Sequence, residues 1–203
     1  MKKIGLFGGT FDPVHLGHEA MVREALAWGL DRVVVMPCYL SPHKLPSPDH
    51  EAPTSSEHRY RMLQKAFQGM ERVEISRYEI DREGPSYTWQ TLDYLQNSRP
   101  ESRWFLIIGL DQYSALPHWH RFGEWSKRVD FLVFKRKGVA LPEKDGIYSD
   151  LQCQWPEVEI PEVSGTEIRL RVRQGLALEG LVGLGVAAYI KQQNLYLSAA
   201  RSG

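Results

Sequence analysis

Cysteine is nearly absent from this chain of 203 residues, where Cys38 and Cys153 are the only two. Two thiols supply neither a disulfide framework nor a four-ligand zinc site, so a reducing, cytoplasmic setting is expected. Net charge is missing as well. Lys plus Arg and Asp plus Glu number 25 each, for a formal charge of zero. No overall field draws the chain to nucleic acid or to an anionic membrane, and a bound anion must be held by local groups. No apolar run nears the roughly 20 residues that span a bilayer, and the chain opens on a strand pattern rather than a secretory leader. Internal repeats and low-complexity blocks are also lacking. The length suits one sizeable α/β domain over residues 1–197, with 198–203 as a flexible tail.

What the chain does contain is concentrated near its start, in Ile4-Gly5-Leu6-Phe7-Gly8-Gly9-Thr10-Phe11-Asp12-Pro13-Val14-His15-Leu16-Gly17-His18. An apolar run ends in two glycines and a hydroxyl, a proline turn follows, and two histidines stand three residues apart. This order describes a buried strand, a phosphate-sized loop and the first turn of a helix. Residues three apart project from nearly one side of a helix, and the helix start offers unpaired N–H groups and partial positive charge to an anion. The glycines let backbone approach a ligand, Thr10 adds a hydroxyl, and imidazoles can donate to oxygens that gather charge in a transition state. A lone histidine pair would be read as helix caps or face packing. Next to Gly-Gly-Thr after a strand, the pair reads as a phosphate-handling site.

The rest of the chain alternates strand and helix patterns. Strands are expected at Lys2 to Phe7, Arg32 to Met36, Arg72 to Ser76, Trp104 to Ile108 and Asp130 to Lys135, with a last short one at Glu157 to Ile160. Helices are expected over Leu16 to Trp28, from Ser55 or Ser56 to Phe67, after the Gly84-Pro85 turn with Ser86 as cap, from Ser164, and over Gly183 to Leu197. Strand, helix and strand in this order form right-handed βαβ units and a parallel sheet, whose carboxyl edge is where ligands bind. The loop from Cys38 to Ser55 leaves that edge carrying Ser41-Pro42-His43-Lys44. Asp111 ends the fourth strand, and His118-Trp119-His120 follows. Ser164 and Glu167 have the spacing of a capping box, while Thr166 and Arg169 are placed to suit outer phosphates.

These residues resemble the nucleotidyltransferase superfamily with the (T/H)xGH motif, and Gly8 to His18 is similar to the version carried by bacterial nicotinate-nucleotide adenylyltransferases. Ser86-Tyr87-Thr88 with Thr91-Leu92, Gly109-Leu110-Asp111, Trp119, Ser164-Gly165-Thr166-Glu167-Ile168-Arg169 and the closing Val186 to Ile190 segment fall in the same order as that family's motifs. Ser41, Leu110 and Gly165 depart from its usual Pro, Ala and Ser. The resemblance implies a single-domain, Rossmann-like, doubly wound parallel sheet flanked by helices. It also implies adenylyl transfer from ATP to nicotinate mononucleotide, giving the dinucleotide and pyrophosphate in NAD biosynthesis, with Mg²⁺ arriving on the triphosphate and no metal held by the protein alone.

By the same resemblance, ATP would meet Gly8, Gly9, Thr10, Phe11, His15, Gly17, His18, Asp111, Ser164, Thr166, Ile168 and Arg169. The pyridine nucleotide would meet Gly9, Lys44, Tyr87, Thr88, Trp119 and Asp111. Catalysis would rest on His15, His18, Thr10, Lys44 and Arg169 as charge-stabilising groups, since no serine has an evident base and neither cysteine lies in a motif. Gly17 would leave room for the nucleotide. Nicotinamide mononucleotide or phosphopantetheine is the alternative acceptor. A dinucleotide-binding redox domain lacks its Gly-x-Gly-x-x-Gly here. A metal hydrolase would have to gather Asp12, His15, His18, His118 and His120 from distant segments. The expected partners are ATP and nicotinate mononucleotide, with no nucleic acid or membrane, and a homodimer is the assembly left open.

Overall fold

A computed structural model describes residues 1–42, 52–135 and 146–197, the side chain of Ile147 excepted. His43 and Lys44, together with the expected tail over 198–203, lie outside the described residues. Strands β1 (Lys2–Gly9), β2 (Arg32–Pro37), β3 (Val73–Ile75), β4 (Ser102–Gly109), β5 (Asp130–Phe134) and β6 (Cys153–Gln154) form one sheet in the order β3-β2-β1-β4-β5-β6. Every neighbouring pair is parallel. The Rossmann-like doubly wound sheet is therefore present. Helices α1 (Leu16–Trp28), α2 (Ser56–Ala66), α3 (Tyr78–Asp81), α4 (Thr88–Ser98), α5 (Leu110–Ala115), α6 (Phe122–Trp125), α7 (Gly165–Arg173) and α8 (Leu184–Gln192) surround it.

The strands read as continuous apolar runs because both faces of the sheet are covered. Side chains alternate between two cores. Phe7, Val33, Val35, Phe105, Ile107 and Leu132 belong to a core with Val22, Met62, Ile168 and Val186. Leu6, Val34, Met36, Trp104, Leu106, Ile108 and Val133 belong to one with Leu92, Tyr113 and Trp125. Burying a side chain of this size stabilises by about 1.5–3 kcal/mol, so the two faces fix the strand register.

The order of strands reverses between β1 and β4, the central neighbours. In open parallel sheets, the carboxyl ends of such a pair leave a crevice because their connections depart to opposite faces. Gly8 and Gly9 end β1, and Gly109 ends β4.

The last strand departs from the sequence expectation. Two residues, Cys153 and Gln154, pair with Phe131 and Leu132, whereas Glu157 to Ile160 is irregular. Val158, Ile160 and Val163 are partly buried against the first core without forming a strand. Pro156 and Pro161 bracket the segment, and a proline has no N–H to give a ladder.

Candidate active site

At the crevice lies an open cavity of about 2080 Å³, larger than the roughly 300–1,000 Å³ of a usual small-molecule site. Its walls come from the ends of β1, β4 and β5, the chain after β2, the start of α4, the turn after α5, and residues 160–166. Gly8 has no atom within 4 Å of where a Cβ would stand, so backbone borders open space there. Gly9 is glycine for another reason: a Cβ would stand 3.0 Å from the ring of Phe11.

His15 and His18 open α1 as a reciprocal cap. His15 is the N-cap, and its Nδ1 accepts from the His18 N–H at 3.4 Å, while His18 Nδ1 accepts from the His15 N–H at 3.3 Å. The rings stack with centroids 3.6 Å apart. The two capping histidines also line the cavity. Each Nδ1 is an acceptor, which assigns the proton of a neutral ring to Nε2 and makes that atom a donor. Burial pushes the His15 pKa down to about 4, so this ring is neutral at pH 7. Phe11, 2% exposed and at a φ of 52°, packs its ring edge-on to His18 with centroids 5.0 Å apart.

Gly17 lines the same wall, but the space beside it is already occupied. A Cβ there would stand 3.0 Å from the Pro161 carbonyl and 3.1 Å from His15 Nδ1. The missing side chain at Gly17 thus makes room for the His15 ring and the crossing chain.

Asp12 ties separate segments together. Its carboxylate accepts from the Tyr196 hydroxyl at 2.7 Å and the Thr54 N–H at 3.2 Å, and its carbonyl accepts from Arg169 Nη1 at 2.6 Å. Arg169 also donates to Thr166 Oγ1 at 3.3 Å. Both residues line the cavity from the first turns of α7. Ile168, on the opposite side of that helix, is fully buried in the first core and does not line the cavity. Ser164 caps α7 by accepting from the Glu167 N–H at 3.1 Å. The Glu167 carboxylate pairs with Arg171 at 3.2 Å, and only this half of the expected capping box is formed.

Across the cavity, Tyr87, Thr88, Asp111 and Trp119 all line the wall. Tyr87 stands with its ring 4.8 Å from that of His120. Trp119 is partly buried against the second core while bordering the cavity. The Asp111 carboxylate folds over Gly109, where a Cβ would stand 2.6 Å from its Oδ1. Leu110 is accommodated by partial burial in the second core. Ser86 does not cap α4. Its hydroxyl oxygen accepts from the Tyr39 N–H at 3.1 Å, and Tyr87 takes the N-cap position without a side-chain bond. Lys44 lies outside the described residues.

Two lining or supporting groups have no sequence signal beyond helical spacing. Glu79 is buried at the cavity wall, where desolvation raises its pKa against the hydrogen bonds from Thr91 and Ser86. Arg59, on α2, is 1% exposed. Asp12, His15, His18, His118 and His120 do not gather into a metal-holding group among the described residues.

The cytidylyltransferase-like family model matches residues 6–171. A Geobacillus kaustophilus protein named as a probable nicotinate-nucleotide adenylyltransferase is 42% identical over 208 residues, covering 100% of this chain and 89% of its own. The chain belongs to the cytidylyltransferase-like family, among its nicotinate-nucleotide adenylyltransferases. The Bacillus subtilis nicotinate-nucleotide adenylyltransferase is 38% identical, with 98% of this chain and 100% of that one aligned. In fold, the chain is similar to the Plasmodium falciparum nicotinic acid mononucleotide adenylyltransferase solved in complex with NaAD, with a TM-score of 0.77 at 18% identity and 97% and 98% of the two chains covered.

Proposed function

We propose that the chain joins ATP and nicotinate mononucleotide into nicotinate adenine dinucleotide, releasing pyrophosphate. The observation that carries this reading is the convergence of α1 and α7 at one cavity, with Arg169 anchored to the carbonyl of Asp12 between them. A 5′-phosphate oxygen of the mononucleotide forms the new bond to the α-phosphorus of ATP. The bond from that phosphorus to the bridging oxygen breaks, and the electron pair leaves on pyrophosphate. No covalent enzyme intermediate is required, so the protein acts by positioning and charge stabilisation.

His15 and His18 donate from Nε2 to the α-phosphate oxygens, and Thr10 assists from the loop. Arg169 and Thr166 hold the outer phosphates, Lys44 adds a cation, and Gly8 and Gly9 let phosphate approach backbone. Tyr87, Thr88, Trp119 and Asp111 form the side that receives the pyridine nucleotide, with Trp119 offering an aromatic face to the ring. The acidic groups of the cavity suit a cation that arrives with the nucleotide. Asp12 is committed to Thr54 and Tyr196 and Glu79 to Thr91, and no three His, Cys, Asp or Glu side chains form a metal-holding group among the described residues. Mg²⁺ held by phosphate oxygens and water fits this donor set and neutralises phosphate charge.

A cytoplasmic role with small-molecule partners follows from this reading. Among the described residues, no helix is long and apolar enough to cross a membrane. The test is to supply ATP and Mg²⁺ with nicotinate mononucleotide, nicotinamide mononucleotide or phosphopantetheine in separate reactions, following pyrophosphate. Nicotinate mononucleotide should give the highest kcat/KM. No release with any acceptor, or preference for another, would refute the assignment.

A further inference from the structure

Arg59 is a buried cation that forms no ion pair with a carboxylate among the described residues. Its guanidinium instead donates to three backbone carbonyls from three segments. Nη1 reaches Thr10 O at 2.7 Å, Nη2 reaches Tyr39 O at 3.0 Å, and Nε reaches Thr54 O at 2.8 Å. Only a planar fork with diverging donors can hold three such acceptors at once, and an ammonium cannot reproduce it. Burying this charge is costly unless its donors are used, so the three segments are held to one geometry.

The bond to Thr10 has a directional consequence. The peptide joining Thr10 to Phe11 is trans, since Asp12-Pro13 is the cis bond of the described chain. A planar trans peptide points its N–H opposite to its carbonyl. With the Thr10 carbonyl drawn toward Arg59, the Phe11 N–H points away from the guanidinium, and it has no partner among the described residues. Thr10 and Phe11 both border the cavity. The Tyr39 bond meanwhile holds the chain after β2, where Cys38 N–H also bonds Gly9 O at 3.0 Å.

We infer that Arg59 is a positioning residue for adenylyl transfer: through the Thr10 carbonyl it turns the Phe11 N–H toward the phosphates and fixes the Gly8–Thr10 loop in its reactive shape. The inference rests on the function proposed above. It gives the α2 arginine a role beyond packing, because its bonds end on the backbone of the phosphate loop.

Arg59→Lys and Arg59→Met are the variants to compare with wild type by thermal unfolding and steady-state kinetics. Both should lower kcat by about tenfold or more while the KM for ATP stays within about threefold, as when an interaction made chiefly in the transition state is removed. A folded variant with kcat within about twofold of wild type overturns the inference. So does a loss that disappears when each protein is assayed equally far below its own unfolding midpoint. A measurement on wild type decides the matter if neither variant folds: saturating ATP should shift the assigned Phe11 amide resonance in a ¹⁵N–¹H spectrum, and an unmoved resonance overturns the inference. Wild-type protein that releases no pyrophosphate marks failure of the functional reading instead, and is seen before any variant is made.

Discussion

Lowering the pH should destabilise this fold through His15 by a predictable amount. In the unfolded chain the ring titrates near the ordinary imidazole value of 6.5, whereas burial holds it near 4 in the folded protein. Between these values the unfolded state binds more protons than the folded one, so stability rises with pH and is lost as pH falls. The His15 contribution is fully present above 6.5, declines through the window, and levels off below 4. Linkage gives a loss of about 2 kcal/mol by pH 5 and about 3 kcal/mol by pH 4. His15→Asn provides the control, because asparagine also caps helices well but does not titrate. Urea unfolding of both proteins, followed by the fluorescence of the six tryptophans, isolates this group, since the remaining carboxylates and histidines are common to both. The unfolding free energy of wild type relative to the variant should fall by about 2 kcal/mol from pH 8 to pH 5. A difference that stays constant over that range refutes the assignment of a buried, neutral His15.

Two substitutions test neighbouring parts of the site. His18→Ala should lower turnover by about two to three orders of magnitude, as for loss of an oxyanion-type donor, while removal of its bond to the His15 N–H costs about 1 kcal/mol of stability. A folded variant with unchanged turnover would remove His18 from the mechanism. Gly165→Ala would place a Cβ 2.8 Å from the Asp12 carbonyl that Arg169 also grips, so it should destabilise by about 1–3 kcal/mol and raise the KM for ATP. Wild-type stability and KM together would show that α7 can retreat without cost.

Much of the layout was legible because local signals agreed with the global fold. The apolar runs at Ile4, Val33 and Trp104 are long enough to be buried on both faces, and Gly8-Gly9 ends the first of them where a ligand edge is needed. Ser55 and Ser164 cap helices as their spacing indicates. Misread positions share a different cause, competition from partners distant in sequence or better placed on the same helix. Ser86 has the composition of a cap but bonds the chain after β2. Glu167 has capping-box spacing but a better partner in Arg171. Arg59, Glu79 and Tyr196 gave no signal beyond their place in helical patterns, because what distinguishes each is a bond to backbone or side chains brought near only by folding.

The central claim is that this cavity directs attack onto the α-phosphorus of ATP. Its most direct test is the fate of label from [α-³²P]ATP and [γ-³²P]ATP incubated with Mg²⁺ and nicotinate mononucleotide. The α-label should appear in the dinucleotide and the γ-label in pyrophosphate, in equal amounts. Label in free AMP without dinucleotide, or γ-label in orthophosphate, would contradict the account.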